Sequence, residues 1–297
     1  FAIDVTFTGT ALRELAKMDG AIILDDALDR ILFAGVHLMP DAAVATSETG
    51  TRHRTADRVA RQTGVPTVTV SASMSTISLF VDERRWVVQR PEQLLARANQ
   101  ALATLVRFSD RLGEATARLS AAEVQDAATV RDIALVAQRL EMVRRLRLEV
   151  TGYAVELGTD GRLVRLQLQE LVSGLDELST HLQRDYTDDT TTPQLARLAG
   201  LEADDLASPG LIAQACGLGD DLSRRMQPQG HRQLAQIGRL APPVADSLVA
   251  HFGTLQGLFG ATTADLLGVD GVDYSIARTV REGLIRLAES AYTERLD

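Results

Sequence analysis

Hydrophobic positions along the chain change their period twice. Up to about residue 95 they fall in short runs: Ala21-Ile-Ile-Leu24, Arg30-Ile-Leu-Phe-Ala34, Thr67-Val-Thr-Val70, Ile77-Ser-Leu-Phe-Val81 and Trp86-Val-Val88. Their β-branched content and close spacing predict strands, the first two joined by an acidic turn from Asp25 to Asp29. Ala11 to Met18 reads as a short helix behind Thr10 as its cap. Ala56, Val59 and Ala60 share one face of a second helix, which Gly64 stops and Pro66 prevents from continuing. Together these elements predict an α/β domain over residues 1–95, a mixed sheet with flanking helices.

From Pro91 the period becomes helical. Leu94, Leu95, Ala98, Leu102, Leu105 and Val106 make one apolar stripe; Val130, Ile133, Ala137, Leu140, Val143 and Leu146 make another. Gly158-Thr-Asp-Gly161 interrupts the pattern, and Leu163 to Leu175 resumes it. Leu and Val at this spacing are packing surface, so residues 96–230 are expected to form an all-α spine. The acidic, Pro-terminated stretch 185–193 reads as a loop within it. From His231 to the end, at 297, short helical pieces are punctuated by Pro242-Pro243, Gly253, Gly260 and Gly268, which marks a third domain.

Composition narrows the class. A hydrophobic share of 45% and a mean hydropathy of −0.01 describe a globular chain rather than a disordered one. No apolar run approaches the roughly 20 residues that span a bilayer, so no membrane partner is expected. The stretch from Phe1 lacks the basic-then-apolar order of a signal peptide, and a cytoplasmic location is the default expectation. Cys216 is the only cysteine, which excludes an internal disulfide and a multi-cysteine metal site. Lys17 is the only lysine, which leaves almost no place for a lysine nucleophile or a phosphate-loop lysine. A net charge of −9 argues against a generic electrostatic binder of nucleic acid.

One segment stands apart, Glu48-Thr-Gly-Thr-Arg-His-Arg-Thr-Ala56. It puts Gly50, hydroxyls, two guanidiniums and an imidazole at the start of the second helix. A helix start offers unpaired backbone N–H groups and the positive end of the dipole, and Arg adds planar donors suited to phosphate oxygens. Arginines at a helix start otherwise simply face solvent, against the dipole. The pattern alone leaves the anion open between ATP, a sugar phosphate and a nucleic-acid backbone. Two further features bear on it. Asp19-Gly20-Ala21, ahead of the first predicted strand, is either a plain turn or a carboxylate at a sheet edge. Ser71, Ser73 and Ser75 follow the strand Thr67 to Val70, where hydroxyls either satisfy the backbone or reach a phosphate.

Asp19-Gly-Ala21, Gly50-Thr-Arg-His-Arg-Thr55 and Ser71-Ala-Ser-Met-Ser75, taken together, resemble the diadenylate cyclase family. The spine and tail extend the likeness, over essentially the whole chain, to members carrying a DNA-binding tail. The resemblance implies a nucleotidyltransferase-like α/β domain in which two ATP molecules condense to cyclic di-AMP with release of two pyrophosphates. It places Asp19 near the attacking 3′-hydroxyl and a Mg²⁺ or Mn²⁺ ion. Gly20 and Leu38 would border the nucleoside, while Thr51, Arg52, His53, Arg54, Thr55 and Ser71 would hold the triphosphate. Arg52, His53 and Arg54 count with Asp19 as the catalytic set. Because one site holds one ATP, the resemblance implies a homo-oligomer with face-to-face cyclase domains, an octamer of opposed tetramers.

In the tail, Leu267-Gly-Val-Asp-Gly-Val272 with Ala277 and Val280 resembles the hairpin of a helix-hairpin-helix unit, and Arg239-Leu-Ala-Pro-Pro-Val244 its degenerate partner. Val269, Gly271, Val272, Arg278 and Arg281 would then meet the backbone of branched DNA, which would bring the protein to the nucleoid. Asp273 departs from the pattern, standing where a second Gly is usual. Residues 231–297 hold 6 Arg against 8 acidic residues, a net −2, which is poor for phosphate binding. Two other classes stay open: a non-catalytic, nucleotide-regulated DNA-binding scaffold, and a repair nuclease or ligase using the tail. A two-metal nuclease needs a carboxylate cluster the sequence lacks, and Lys17 is a poor candidate for an adenylated lysine.

Overall fold

In a computed structural model of the chain, residues 1–71, 76–187, 192–238 and 240–293 are described. Ser73, Ser75, Arg239 and part of the acidic stretch 185–193 lie outside them. The chain divides into two compact units, Phe1–Gln93 and Leu94–Asp297.

The first unit holds β1 (Ala2–Thr6), α1 (Gly9–Leu15), β2 (Ala21–Leu24), β3 (Arg30–Val36), α2 (Thr51–Thr63), β4 (Thr67–Ser71), β5 (Thr76–Val81) and β6 (Arg84–Val88). Among the described residues these strands form two three-stranded antiparallel sheets, β1-β3-β2 and β4-β5-β6, which corrects the expectation of one mixed sheet. The reason is connection length. β2 and β3 are joined by a tight turn, as are β5 and β6, and short links give antiparallel pairs. β1 was not anticipated. The first helix starts earlier than the pattern implies, because Thr8 rather than Thr10 caps it, accepting the Ala11 N–H at 3.1 Å.

The second sheet reverses the usual rule of apolar face inward. Ser78 and Phe80 are buried on the side where α2 packs, whereas Val68, Val70, Ile77 and Trp86, which alternate with that side, are exposed. The helix covers the more polar face of its sheet, where Phe80 meets the ring of His53.

The second unit opens with α3 (Pro91–Val124) and α4 (Val130–Glu156). Leu94, Ala98, Leu102 and Leu105 of the first predicted stripe are buried, as are Val130, Ile133, Ala137, Leu140 and Val143 of the second. Val106 lies off the packed face and is exposed. Gly158–Gly161 is a 3-10 turn leading into α5 (Arg162–Leu171), and Gly174, left-handed at φ 75°, separates that helix from α6 (Leu175–Asp185). After α7 (Pro209–Ala215) come the helices of the tail: the shorter α8 (His231–Ala235), α9 (Pro242–Phe252), α10 (Leu255–Gly260) and α11 (Thr263–Leu267), then the 20-residue α12 (Tyr274–Thr293). Among its described residues the unit has two apolar cores, one built from residues between Leu94 and Met226, the other from Leu234 to Leu284. Among the described residues no helix is long and apolar enough to cross a membrane.

A buried polar cluster joins those cores. Glu123, fully buried near the end of α3, accepts from Arg232 Nη2 at 2.5 Å, Gln233 Nε2 at 2.6 Å and Tyr186 Oη at 2.5 Å. Asp185, also fully buried, accepts the backbone N–H groups of Gly230, His231 and Arg232 at 2.6–2.9 Å, thereby capping α8. Burial and the nearby Glu123 push the Asp185 carboxyl up to about 7 against those N–H groups. Burial pushes the His231 imidazole down to about 4.

Candidate active site

The start of α2 has the form the sequence predicted. Gly50, at φ 87°, is its N-cap and supplies no side chain, so the first turn keeps its backbone N–H groups open. Thr51, Arg52 and Arg54 are exposed, Thr55 is half-buried and His53 is buried. Gly64, left-handed at φ 69°, closes the helix as expected. The loop ahead of it is tied to the helix body: Arg58 Nε donates to the Val44 carbonyl at 2.9 Å, and the Asp41 N–H donates to Gln62 at 2.8 Å.

His53 points into the unit. Its ring meets Phe80 edge-on, with centroids 6.2 Å apart and planes at 60°. Three buried polar atoms of this unit lack a partner among the described residues: His53 Nε2, Thr69 Oγ1 and Thr76 Oγ1. A buried donor or acceptor left unmade costs about 1–3 kcal/mol, a cost that a bound polar ligand offsets. Ser71 is buried at the end of β4. β4 packs against α2.

Asp19 stands just before β2 with its side chain fully exposed, and its carboxylate lies 3.9 Å from Arg52 Nη2. That is a loose, solvated pair, beyond hydrogen-bond range, in which both groups stay available to a ligand. Gly20 has its own structural reason. At φ 111°, a Cβ there would lie 2.7 Å from the Gly35 backbone, so β3 crosses too closely for a side chain. Leu38 is half-buried in the loop after β3. Carboxylate and cationic turn thus stand together. Among the described residues no three His, Cys, Asp or Glu gather into a metal cage. Asp19 supplies an exposed hard oxygen, which fits Mg²⁺, an ion commonly held by one or two carboxylates together with substrate phosphates.

Glu48, Phe80 and Arg85 carried no site role in the sequence. Arg85 Nη1 meets Glu48 Oε2 at 2.9 Å across 37 positions of chain, a separation at which no local pattern carries a signal.

In the tail, Val269 and Val272 are buried in the second core, and Gly271 takes a left-handed φ of 81° between α11 and α12. Asp273 caps α12: its carboxylate accepts the Ile276 N–H at 2.7 Å and its carbonyl the Ala277 N–H at 2.8 Å. The helix start that would face a phosphate therefore carries the chain's own carboxylate. Arg278 Nε pairs with Glu282 at 2.7 Å, and Arg281 Nη1 donates to the Ala261 carbonyl at 2.5 Å. Both arginines are engaged within the module instead of forming an open basic face.

Two family models match the chain: the DisA bacterial checkpoint controller nucleotide-binding region over residues 1–85, and the DisA bacterial checkpoint controller linker region over residues 88–224. Among curated relatives, the DNA integrity scanning protein DisA of Acidothermus cellulolyticus is 51% identical over 304 residues, covering 99% of this chain and 83% of that protein. Those of Frankia alni and Beutenbergia cavernae are 50% and 52% identical, each covering 99% of this chain and 84% of the relative. The matched nucleotide-binding region contains Asp19, the Arg52-His53-Arg54 turn and Ser71, and the chain belongs to the DisA family of diadenylate cyclases.

Proposed function

We propose that the chain condenses two ATP molecules into cyclic di-AMP, each of two facing subunits supplying half of the reacting site. The observation that carries this reading is the exposed Asp19 carboxylate 3.9 Å from Arg52, at a helix start that no side chain caps. The open N–H groups of α2, with Thr51, Arg52, Arg54 and Thr55, would bind the triphosphate. His53 Nε2 and Ser71 would meet it from the buried side. Gly20 and Leu38 would border the nucleoside. In each transfer a 3′-oxygen bonds to the α-phosphorus of the facing ATP, the bond from that phosphorus to the β-phosphate bridge breaks, and pyrophosphate leaves. Charge develops on the leaving pyrophosphate, where Arg52, Arg54 and the helix-start N–H groups would stabilise it. Asp19 would take the hydroxyl proton and, with triphosphate oxygens, hold a Mg²⁺ or Mn²⁺ ion, which when bound supplies charge neutralisation and a more acidic hydroxyl. Two half-sites face to face supply the proximity that this bimolecular reaction lacks in water.

Residues 231–297, following the spine over 96–230, are the segment we assign to DNA, in line with the relatives' name as DNA integrity scanning proteins. Val269, Gly271 and Val272 would shape the hairpin, and Arg278 and Arg281 would have to leave Glu282 and the Ala261 carbonyl to reach phosphate. Binding of that kind falls steeply with salt.

Incubation of the purified protein with ATP and Mn²⁺, followed by chromatography, is expected to yield cyclic di-AMP and two pyrophosphates per product. Bound ATP that is never converted would favour the non-catalytic scaffold instead.

A further inference from the structure

The phosphate-facing turn depends on a side chain that does not belong to it. Glu48 precedes the N-cap Gly50 by two positions, and its side chain is only 16% exposed. A carboxylate so near a helix start competes with an incoming phosphate for the same positive potential. What neutralises it is Arg85 on β6, whose Nη1 meets Glu48 Oε2 at 2.9 Å. The same guanidinium donates through Nε to the fully buried Ser78 hydroxyl at 3.2 Å and lies 5.9 Å from the centre of the Phe80 ring. Phe80 is the ring against which His53 rests, and it pairs with Arg85 across the strands. One cation therefore binds the loop before α2 to the sheet and sits on the aromatic floor beneath the buried imidazole.

We infer that Arg85 is a positioning residue of the ATP site: it neutralises Glu48 and anchors it, so that the start of α2 stays open to a triphosphate. The inference rests on the nucleotide reading given above. Its donors turn inward to Glu48 and Ser78, which distinguishes Arg85 from the exposed Arg52 and Arg54. Loss of the guanidinium would leave a largely buried carboxylate without its cation, next to where three more phosphates' worth of negative charge must bind.

The test compares steady-state synthesis from ATP with Mn²⁺ in the full chain, separating KM from kcat, with binding of a non-hydrolysable ATP analogue as a second readout. Arg85→Met is expected to raise KM and the analogue's Kd by about tenfold, within the range that coupled neighbours show, with a smaller change in kcat. Arg85→Lys keeps the charge but not the fork and should lie between. The deciding variant is Arg85→Met combined with Glu48→Gln, which should recover most of the lost affinity because no charge is left to neutralise. Equal loss in the single and double variants overturns the inference, as does an unchanged KM in Arg85→Met. If Arg85→Met does not fold, Glu48→Gln alone decides: affinity at or above that of the wild type supports the inference, and a tenfold loss overturns it. A wild-type protein that neither binds the analogue nor makes product would remove the nucleotide reading itself, an outcome visible before any variant is made.

Discussion

Replacing Asp19 by Asn is expected to abolish cyclic di-AMP synthesis, lowering the rate by about 100- to 10,000-fold, the usual scale for a missing general base. Affinity for a non-hydrolysable ATP analogue should change by no more than a few fold. The two effects separate for a physical reason. Asn keeps the size and hydrogen-bonding shape of Asp but neither accepts a proton nor carries the charge that holds a divalent ion. The triphosphate grip of the proposed site lies elsewhere, on the start of α2. Folding is not at stake either, because the Asp19 side chain is fully exposed and its contact with Arg52 is a loose one at 3.9 Å. Titration calorimetry with the analogue, beside an assay of product, checks both halves. Loss of binding together with activity would make Asp19 an anchor for substrate and not the proton acceptor.

The largest effect on stability is expected from Arg232→Met. Arg232 and Glu123 are 3% and 0% exposed, and removing the guanidinium strands a carboxylate in the interior of the second unit. Breaking a buried pair from one side costs about 3–5 kcal/mol, part of which Tyr186 and Gln233 would offset here by continuing to donate to Glu123. Combining Arg232→Met with Glu123→Gln should restore part of the loss, because the buried charge is gone while the amide still hydrogen-bonds with Tyr186 and Gln233. Urea-induced unfolding, compared across the single and double variants, measures this directly. A single variant as stable as the wild type would mean that water or another group already solvates Glu123. The cluster joins the end of α3 to the start of α8, so the single variant should also loosen the tail from the spine. Hydrogen exchange of the backbone N–H groups at 230–232, which Asp185 binds, reads that loosening.

How much of this was legible in the sequence depended on the range of the interaction involved. Local signals carried well. Gly64 and Pro66 bounded α2, the spacing of Ile133, Ala137 and Leu140 marked a packed helix face, and the cluster at 50–55 marked a helix start. Asp19 became meaningful only when paired with that cluster through a family likeness, since Asp-Gly alone is a turn signal. Which face of the second sheet is buried was not read from the sequence, and the apolar Val68, Val70, Ile77 and Trp86 turn out to be the exposed set. Sheet type was misjudged because periodicity identifies a strand without naming its neighbours. Long-range polar pairs left no trace. Arg85 with Glu48, and Arg232 with Glu123 across 109 positions, are ordinary charged residues until the fold brings them together. Asp273 went the other way: the sequence showed an anomaly in the hairpin, and the structure supplies its physical reason as the cap of α12.

If the turn at residues 51–55 forms half of a site that a facing subunit completes, mixed oligomers reveal it: wild-type subunits are assembled with an excess of subunits carrying Asp19→Asn, so that nearly every wild-type subunit faces a variant. With one Asp19 per facing pair only one of the two transfers proceeds. The expected product is a linear dinucleotide that retains one triphosphate, with a single pyrophosphate released. Cyclic di-AMP made in proportion to the wild-type subunits, with no linear product, would show that each subunit works alone and would contradict the shared site.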